Sequence, residues 1–338
     1  MKDPFCAFCY TPVETLLKCG QCKKRVFCSV ACQREDWKCK IGGGSHKLYC
    51  GLAGEIGSDF DIRESREEGA GLGVFACKDI SKNDIIMVER PCFKVLDGTF
   101  NLPIIPDSCR NRVAALLPLD GSLQEKLDRN TMACTDEQES TRGSGESGLF
   151  LTLSRINHHC LGNADHQFMA HRGVKLLVAA RSIKKGDEIT ISYLGSYKPK
   201  HERIKKLQGY PYKFCCKCSL CTGNPELEAK FAKTKELDNS ILEVGGSGKI
   251  EMAMRKGRAL IAIYDELQFS TWLYQRTYYD LFQVAVTKKK YGKDARRFVK
   301  LAHDTVLTYT KDEQHPQVLR YKDLMEAPQN HRNYLVLG

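Results

Sequence analysis

The stretch SRINHHCLGNADH, residues 154–166, gathers an Asn, two adjacent His and a Cys in an otherwise apolar neighbourhood. Such residues suit a metal site, a catalytic site or a packed loop. His158 and His159 cannot both face one ion from a helix or a strand, because neighbouring side chains point apart in both. What the stretch does must therefore come from what else the chain carries, and the chain has 17 Cys, clustered toward both ends of residues 1–221. Near the start, CAFC, CGQC, CSVAC and HKLYC set out Cys6, Cys9, Cys19, Cys22, Cys28, Cys32, His46 and Cys50 in four close pairs. Tetrahedral zinc takes four Cys or His ligands, so these eight imply two structural ions, and so short a segment has little other core to fold around. Spacing alone leaves the pairing open. A further thiol group, Cys216, Cys218 and Cys221, stands in YKFCCKCSLC.

The elements that must position these residues follow from periodicity. From Asp59 onward, FDIRES, GVFACKDI and DIIMVERP are short runs rich in Val, Ile and Phe, broken by EEGAGLG and SKN, and they predict strands joined by turns. GVKLLVAARSIKKGDEITISYLG predicts two more strands about a turn. An insert over about 93–148 holds a helical run, CRNRVAALL, and a polar stretch, CTDEQESTRGSGESG, that reads as a loop. After Cys221 the pattern turns helical, with Ala295, Phe298, Ala302, Val306 and Tyr309 on one stripe and a break at Gln314–Pro316.

Composition bounds the function class. With 338 residues, 42% hydrophobic and 28% charged, the chain is expected to be a soluble globular protein of two or three domains. No run is apolar enough to span a bilayer, and MKDPFCAFCY lacks the apolar core of a signal peptide. A reducing compartment, cytoplasmic or nuclear, is expected, where cysteines are poor candidates for disulfides and good ones for metal. The net charge of +11 invites a nucleic-acid reading. Runs such as Lys288–Lys290 fall in helical patterns as solvated faces without interleaved aromatics, so a specific nucleic-acid partner is not expected.

The order and spacing of the first ligands, with QREDW at Gln33–Trp37, resemble the MYND zinc finger. The resemblance implies interleaved ligands: Cys6, Cys9, Cys28 and Cys32 on one zinc, and Cys19, Cys22, His46 and Cys50 on the other. KCKIGGG, inserted before His46, offers Cys39 as an alternative ligand. Further on, GAGLGVFA, SRINHHCLGN, GDEITISY and YKFCCKCSLC in this order resemble the SET-domain lysine methyltransferases over about 58–222. The combination with a finger and a helical tail resembles the SMYD group. Here the finger precedes the glycine motif instead of following the first SET strands, a divergent order for which the apical-complex lysine methyltransferases of apicomplexan parasites are a second candidate group. The implied fold is α+β: a SET β-fold of short sheets with a pseudoknot, behind a MYND double-zinc finger and ahead of a tetratricopeptide-like α-helical tail. The expected domains are 1–52 finger, 58–210 SET, 211–224 post-SET zinc segment and 225–338 tail.

The resemblance also assigns roles. Asn157 and His158 would hold S-adenosylmethionine, while Cys160 turns away to join Cys216, Cys218 and Cys221 on a third structural zinc. His159 stands where the family has Ser. Ala70, Gly71 and Leu72 would bring bare backbone against the cofactor, Ser154 and Asn130 would add contacts, Phe214 would stack on the adenine, and Tyr212 would both touch the cofactor and wall a lysine channel. Tyr193 would orient the lysine amine for in-line attack on the sulfonium methyl, after an apolar channel has lowered the amine pKa. The implied function is a protein-lysine N-methyltransferase acting on an exposed lysine of a histone or non-histone protein, with protein partners at the finger and tail. The finger is expected to stand apart from the methyl site. The competing readings are a non-catalytic adaptor on a relic SET fold and a zinc-dependent DNA binder.

Overall fold

A computed structural model of the chain describes residues 5–13, 17–38, 46–95, 107–135, 145–194, 198–223 and 225–338. Cys39 and residues 136–144 of the insert's polar stretch lie outside them. The chain forms two compact units, 1–192 with 209–214, and 193–208 with 215–338.

The first unit opens with the zinc-ligand segment. Strands β1 (Leu17–Lys18) and β2 (Val26–Phe27) pair antiparallel, and helices α1 (Val30–Lys38) and α2 (His46–Tyr49) follow. Phe27 is fully buried among Cys6, Val13 and Cys19, so ligand sulfurs supply much of this small core. The Ser29 hydroxyl accepts from the Cys32 N–H at 3.1 Å and so caps α1.

Then come β3 (Phe60–Glu64), β4 (Leu72–Ala76), β5 (Ile85–Glu89), β6 (Phe93–Val95), helices α3 (Asp107–Ala114) and α4 (Leu123–Asn130), and strands β7 (Thr131–Ala133), β8 (Ser147–Leu149), β9 (Asn157–His158), β10 (Ala164–Met169), β11 (Val174–Ala179) and β12 (Glu188–Ile191). They build short sheets in the orders β3-β4-β12-β9, β10-β11-β5 and β6-β8-β7. β5 and β11, IIMVE and VKLLVA, are buried at every position, as strands covered on both faces must be. Turns fall at the predicted breaks, with Asn83 at φ 69° between β4 and β5 and Gly186 at φ 90° before β12. Helix α3 stops at Ala114, short of the expected Leu117, because Pro118 disfavours a helical residue before it. A capping box of Ser122 and Glu125 starts α4.

Two expectations are corrected in this unit. Cys92 and Cys109 are joined by a disulfide linking the β6 segment to α3, so the thiols are not all reserved for metal. The zinc-ligand segment is also no separate body. Tyr10 packs with Phe93, Cys109, Val113, Leu116, Leu127, Leu149 and Leu151 in a core that it shares with the insert, and its hydroxyl donates to the Arg90 carbonyl. The small core of the segment is already filled by Phe27, so the Tyr10 ring packs into the neighbouring core of the insert. Polar contacts add to the docking. Buried Arg25 donates to Asp36 at 2.8 Å and to Glu55 at 3.3 Å. Burial opposes the Arg25 charge, but these two carboxylates outweigh it and hold the guanidinium above its usual range. Asp59 receives Lys24 at 2.9 Å and Lys78 at 2.5 Å. Its burial raises the carboxyl, and the lysines overcome that and keep it well below the usual carboxylate range.

The second unit is helical: α5 (Lys200–Gln208), α6 (Ser219–Thr222), α7 (Pro225–Gly246), α8 (Ile250–Leu267), α9 (Thr271–Ala285), α10 (Gly292–Thr310) and α11 (Pro316–Glu326). The predicted stripe of Ala295, Phe298, Ala302, Val306 and Tyr309 is buried on α10, which packs on α9 and α11. The break at Gln314–Pro316 becomes the start of α11, where the His315 ring accepts from the Gln317 N–H at 3.2 Å and Pro316 takes the first turn. Arg203 on α5 is fully buried, paired with Glu228 at 2.7 Å and lying 5.0 Å over the Phe231 ring. No described helix is long and apolar enough to cross a membrane.

Candidate metal clusters and cofactor site

Ligand atoms of Cys6, Cys9, Cys28 and Cys32 lie within 4.8 Å of one another, and so do those of Cys19, Cys22, His46 and Cys50. The interleaving arises because β2 and the first turn of α1 deliver Cys28 and Cys32 beside the first knuckle, while α2 returns His46 and Cys50 to the second. Within the first set, Cys28 Sγ lies 3.5 Å from both Cys9 Sγ and Cys32 Sγ; within the second, Cys22 Sγ lies 3.6 Å from His46 Nε2. Burial pushes the Cys32 and Cys50 thiols up to about 12, and neighbouring sulfurs add to the shift. Burial also raises Cys9, but hydrogen bonds from Thr11 and nearby thiols outweigh it and bring it to about 7. His46 is driven to about 4 by burial and then by Arg25, which keeps the imidazole neutral, as a ligand must be. Crowded thiols with mutually opposing ionisation fit a soft dication that stabilises all the thiolates together.

In the second unit the sulfurs of Cys216, Cys218 and Cys221 also lie within 4.8 Å of one another. The Cys221 N–H donates to the Cys218 carbonyl at 2.8 Å, so the turn of α6 sets their spacing. Cys160 is in the first unit, buried, with its Sγ 3.3 Å from His158 Nε2.

The candidate cofactor residues of the first unit gather around the β4-β12-β9 sheet. β9 runs parallel to β12, with Asn157 opposite Thr190 and His158 opposite Ile191. Asn157 Nδ2 donates to Glu188 Oε1 at 2.7 Å and to the Leu72 carbonyl at 3.3 Å, which ties the predicted Asn to the glycine turn. Gly71 sits at φ 68°, a conformation that favours glycine, and a Cβ there would meet Leu117 Cδ1 at 2.9 Å. Ala70 donates its N–H to the Glu67 carbonyl at 3.1 Å within the same turn. The Phe214 ring meets His158 edge-on at 5.8 Å. Tyr212 is half-buried, its hydroxyl held above the usual phenol range by burial, and Arg129 of α4 donates to its carbonyl and, at 3.2 Å, to that of Pro211. The Ser154 hydroxyl is buried without a hydrogen-bond partner among the described residues. Asn130 is buried and its amide donates at 2.7 Å to both the Leu117 and Lys126 carbonyls, so its nitrogen is engaged inside the insert. His159 accepts from the Leu161 N–H at 3.0 Å, a turn-closing role open to many polar side chains. Tyr193 is half-buried and belongs to the second unit.

Two residues outside the predicted set hold these in place. Glu89, at the end of β5, accepts from the N–H groups of Thr152 and Leu153, both at 2.8 Å, anchoring the 3-10 turn Leu153–Arg155 that leads into Asn157. Glu188 accepts from Asn157 on one oxygen and from the Ser65 hydroxyl at 3.0 Å on the other. Its alternation with buried Ile189 and Ile191 makes it read in sequence as the outer face of a strand.

Comparison with known proteins bears on both regions. A family model described as the MYND finger matches residues 6–50, and one described as the SET domain matches residues 71–194. The chain is a SMYD-type protein. This SMYD-type chain is 28% identical over 253 residues to human N-lysine methyltransferase SMYD2, covering 69% of itself and 54% of that protein. It is likewise 28% identical over 247 residues to zebrafish N-lysine methyltransferase SMYD2-A, covering 69% of itself and 53% of the relative. It thus spans about half the length of the curated relatives it matches. A crystal structure from Plasmodium falciparum aligns over 41% of this chain and 96% of its own at 22% identity, with a TM-score of only 0.27.

Proposed function

We propose that this SMYD-type protein is a protein-lysine N-methyltransferase using S-adenosylmethionine. The observation that carries the reading is the convergence in one unit of three cofactor elements: the Leu72 carbonyl of the glycine turn bonded to Asn157, and His158 against Phe214. The names of the relatives, N-lysine methyltransferases, give the reaction class. The residues fit the cofactor's chemistry, with a glycine turn for close backbone approach, an amide and an imidazole for its polar groups, and an aromatic face for its adenine. Ala70, Gly71, Leu72, Ser154, Asn157, His158 and Phe214 would hold it, with Asn130 a further contact from the insert. When bound, S-adenosylmethionine supplies an electrophilic methyl group on a sulfonium and leaves as S-adenosylhomocysteine.

The chain's own contribution is alignment and desolvation. An apolar aromatic environment that includes Tyr212 would lower the substrate lysine from its usual pKa of about 10.4, so that the amine nitrogen presents its lone pair. The Tyr193 hydroxyl would orient that nitrogen, so the acceleration rests on geometry and electrostatics. Cys160 would complete a zinc set with Cys216, Cys218 and Cys221, as the SET resemblance implies, giving the four ligands of a closed structural site. That zinc and the two of the finger make three structural ions. The finger and helical tail are proposed to engage the substrate protein or its partners. The thiolate demand of the three clusters favours a reducing compartment, cytoplasm or nucleus, while the Cys92–Cys109 disulfide is the feature that weighs against it.

The test is transfer of a radiolabelled methyl group from S-adenosylmethionine to a protein extract, with the modified residue mapped by mass spectrometry. Labelled methyllysine supports the proposal. A protein that binds the cofactor, retains three zinc ions and labels nothing is an adaptor instead.

A further inference from the structure

Asn157 has one donating and one accepting end, and the two face different partners. Both hydrogens of Nδ2 are directed at acceptors, Glu188 Oε1 at 2.7 Å and the Leu72 carbonyl at 3.3 Å. The flipped amide would press its oxygen against a carboxylate oxygen and a carbonyl oxygen, acceptors that offer it no N–H donor. Oδ1 is therefore left as the face that Asn157 offers to a ligand, an acceptor suited to an N–H or O–H donor.

We propose that Glu188 is a positioning residue that fixes the orientation of the Asn157 amide and so makes the cofactor site accept at that point. This rests on the methyltransferase reading above and adds a residue to it. Two features hold the carboxylate where it must be. The Ser65 hydroxyl donates to Oε2 at 3.0 Å, leaving Oε1 for Asn157. Gly73 supplies the space: a Cβ there would lie 2.2 Å from Glu188 Oε1 and 3.1 Å from Asn157 Nδ2. Any side chain at position 73 would thus displace the carboxylate while leaving its charge in the protein. The strand pairing brings the group in, since β12 lies between β4, which carries Gly73, and β9, which carries Asn157.

Three variants of the full-length, zinc-loaded protein separate positioning from folding. Glu188→Ala removes the acceptor, and Gly73→Ala keeps it but moves it. Glu188→Gln retains an oxygen for Asn157, while its new amide can donate to the Ser65 hydroxyl. Two readouts are taken: calorimetric affinity for S-adenosylhomocysteine, and the side-chain amide signals of Asn157 in nitrogen-15 spectra, identified by their absence in Asn157→Ala. Glu188→Ala and Gly73→Ala should each weaken binding by about tenfold or more, the size of a lost hydrogen bond to a charged group, with Glu188→Gln within about threefold of wild type. The Asn157 amide pair should shift and exchange faster in the first two variants only.

Wild-type affinity in Glu188→Ala, or an unmoved Asn157 amide pair, overturns the proposal. Equal loss in Glu188→Gln also overturns it, because a general structural defect would not be rescued by an isosteric acceptor. If the wild-type protein binds no S-adenosylhomocysteine, the methyltransferase reading fails, and the amide signals still decide whether Glu188 orients Asn157.

Discussion

Replacing Tyr10 tests whether the zinc finger holds the insert together. The ring is 6% exposed, stacks on Phe5 at 6.3 Å between centroids, and lies in one core with residues of β6, α3, α4 and β8. Its backbone is held at φ 62°, an uncommon conformation for a bulky residue, by the knuckle bond from its N–H to the Cys6 carbonyl at 2.9 Å. Truncating a buried aromatic to Ala costs about 3–5 kcal/mol, and removing only the hydroxyl that bonds Arg90 costs about 1 kcal/mol. Tyr10→Ala should therefore lower hydrogen-exchange protection across 107–135 by about two to three orders of magnitude, while Tyr10→Phe lowers it by about one. Tyr10→Gly also removes the ring but relieves the left-handed backbone, so it should be no less stable than Tyr10→Ala. Zinc content, measured in parallel, should stay at the wild-type value in all three, because no ligand is touched. Unchanged exchange over 107–135 in a zinc-replete Tyr10→Ala protein would refute the idea that finger and insert share a core.

Three further outcomes follow from the same geometry. Tyr193→Phe should cut methyl transfer by about a hundredfold or more with little change in cofactor affinity, as expected of a group acting mainly in the transition state; comparable turnover in a single-turnover assay would remove its assigned role. Cys221→Ser should lower zinc by one ion per chain in elemental analysis and weaken S-adenosylhomocysteine binding, whereas three retained ions would exclude it as a ligand. Burial lowers the Lys175 ammonium to about 8, against opposing effects of Cys134 and Asp165. Between about pH 8 and 10.4 the unfolded chain then holds a proton at this site that the folded one has released, so stability should rise with pH across that window. The rise should be smaller in Lys175→Met, and identical pH profiles of urea unfolding for the two proteins would count against the depressed pKa.

How much of the protein is legible in its sequence depends on how local the information is. Zinc ligands come in pairs two to four residues apart because a single turn must aim two donors at one ion, so Cys6 with Cys9 or Cys218 with Cys221 could be read directly. The strands about Val74, Ile86 and Leu177 and the stripe on α10 followed from periodicity, since burial of one face or of both leaves a fixed pattern along the chain. Asn157 and His158 stood out as a polar pair within an apolar run. Spacing leaves open which pairs belong together, and the tertiary structure groups them as the resemblance implies, because β2 and α2 cross back over the first knuckles. The tertiary structure alone joined Cys92 to Cys109 and sent Tyr10 into the insert, contacts between segments remote in the chain. Glu188 is the sharpest case. Its alternation with Ile189 and Ile191 marks it as outward-facing, and only the parallel placement of β9 beside β12 turns that face toward Asn157, where a carboxylate becomes part of the site instead of its surface.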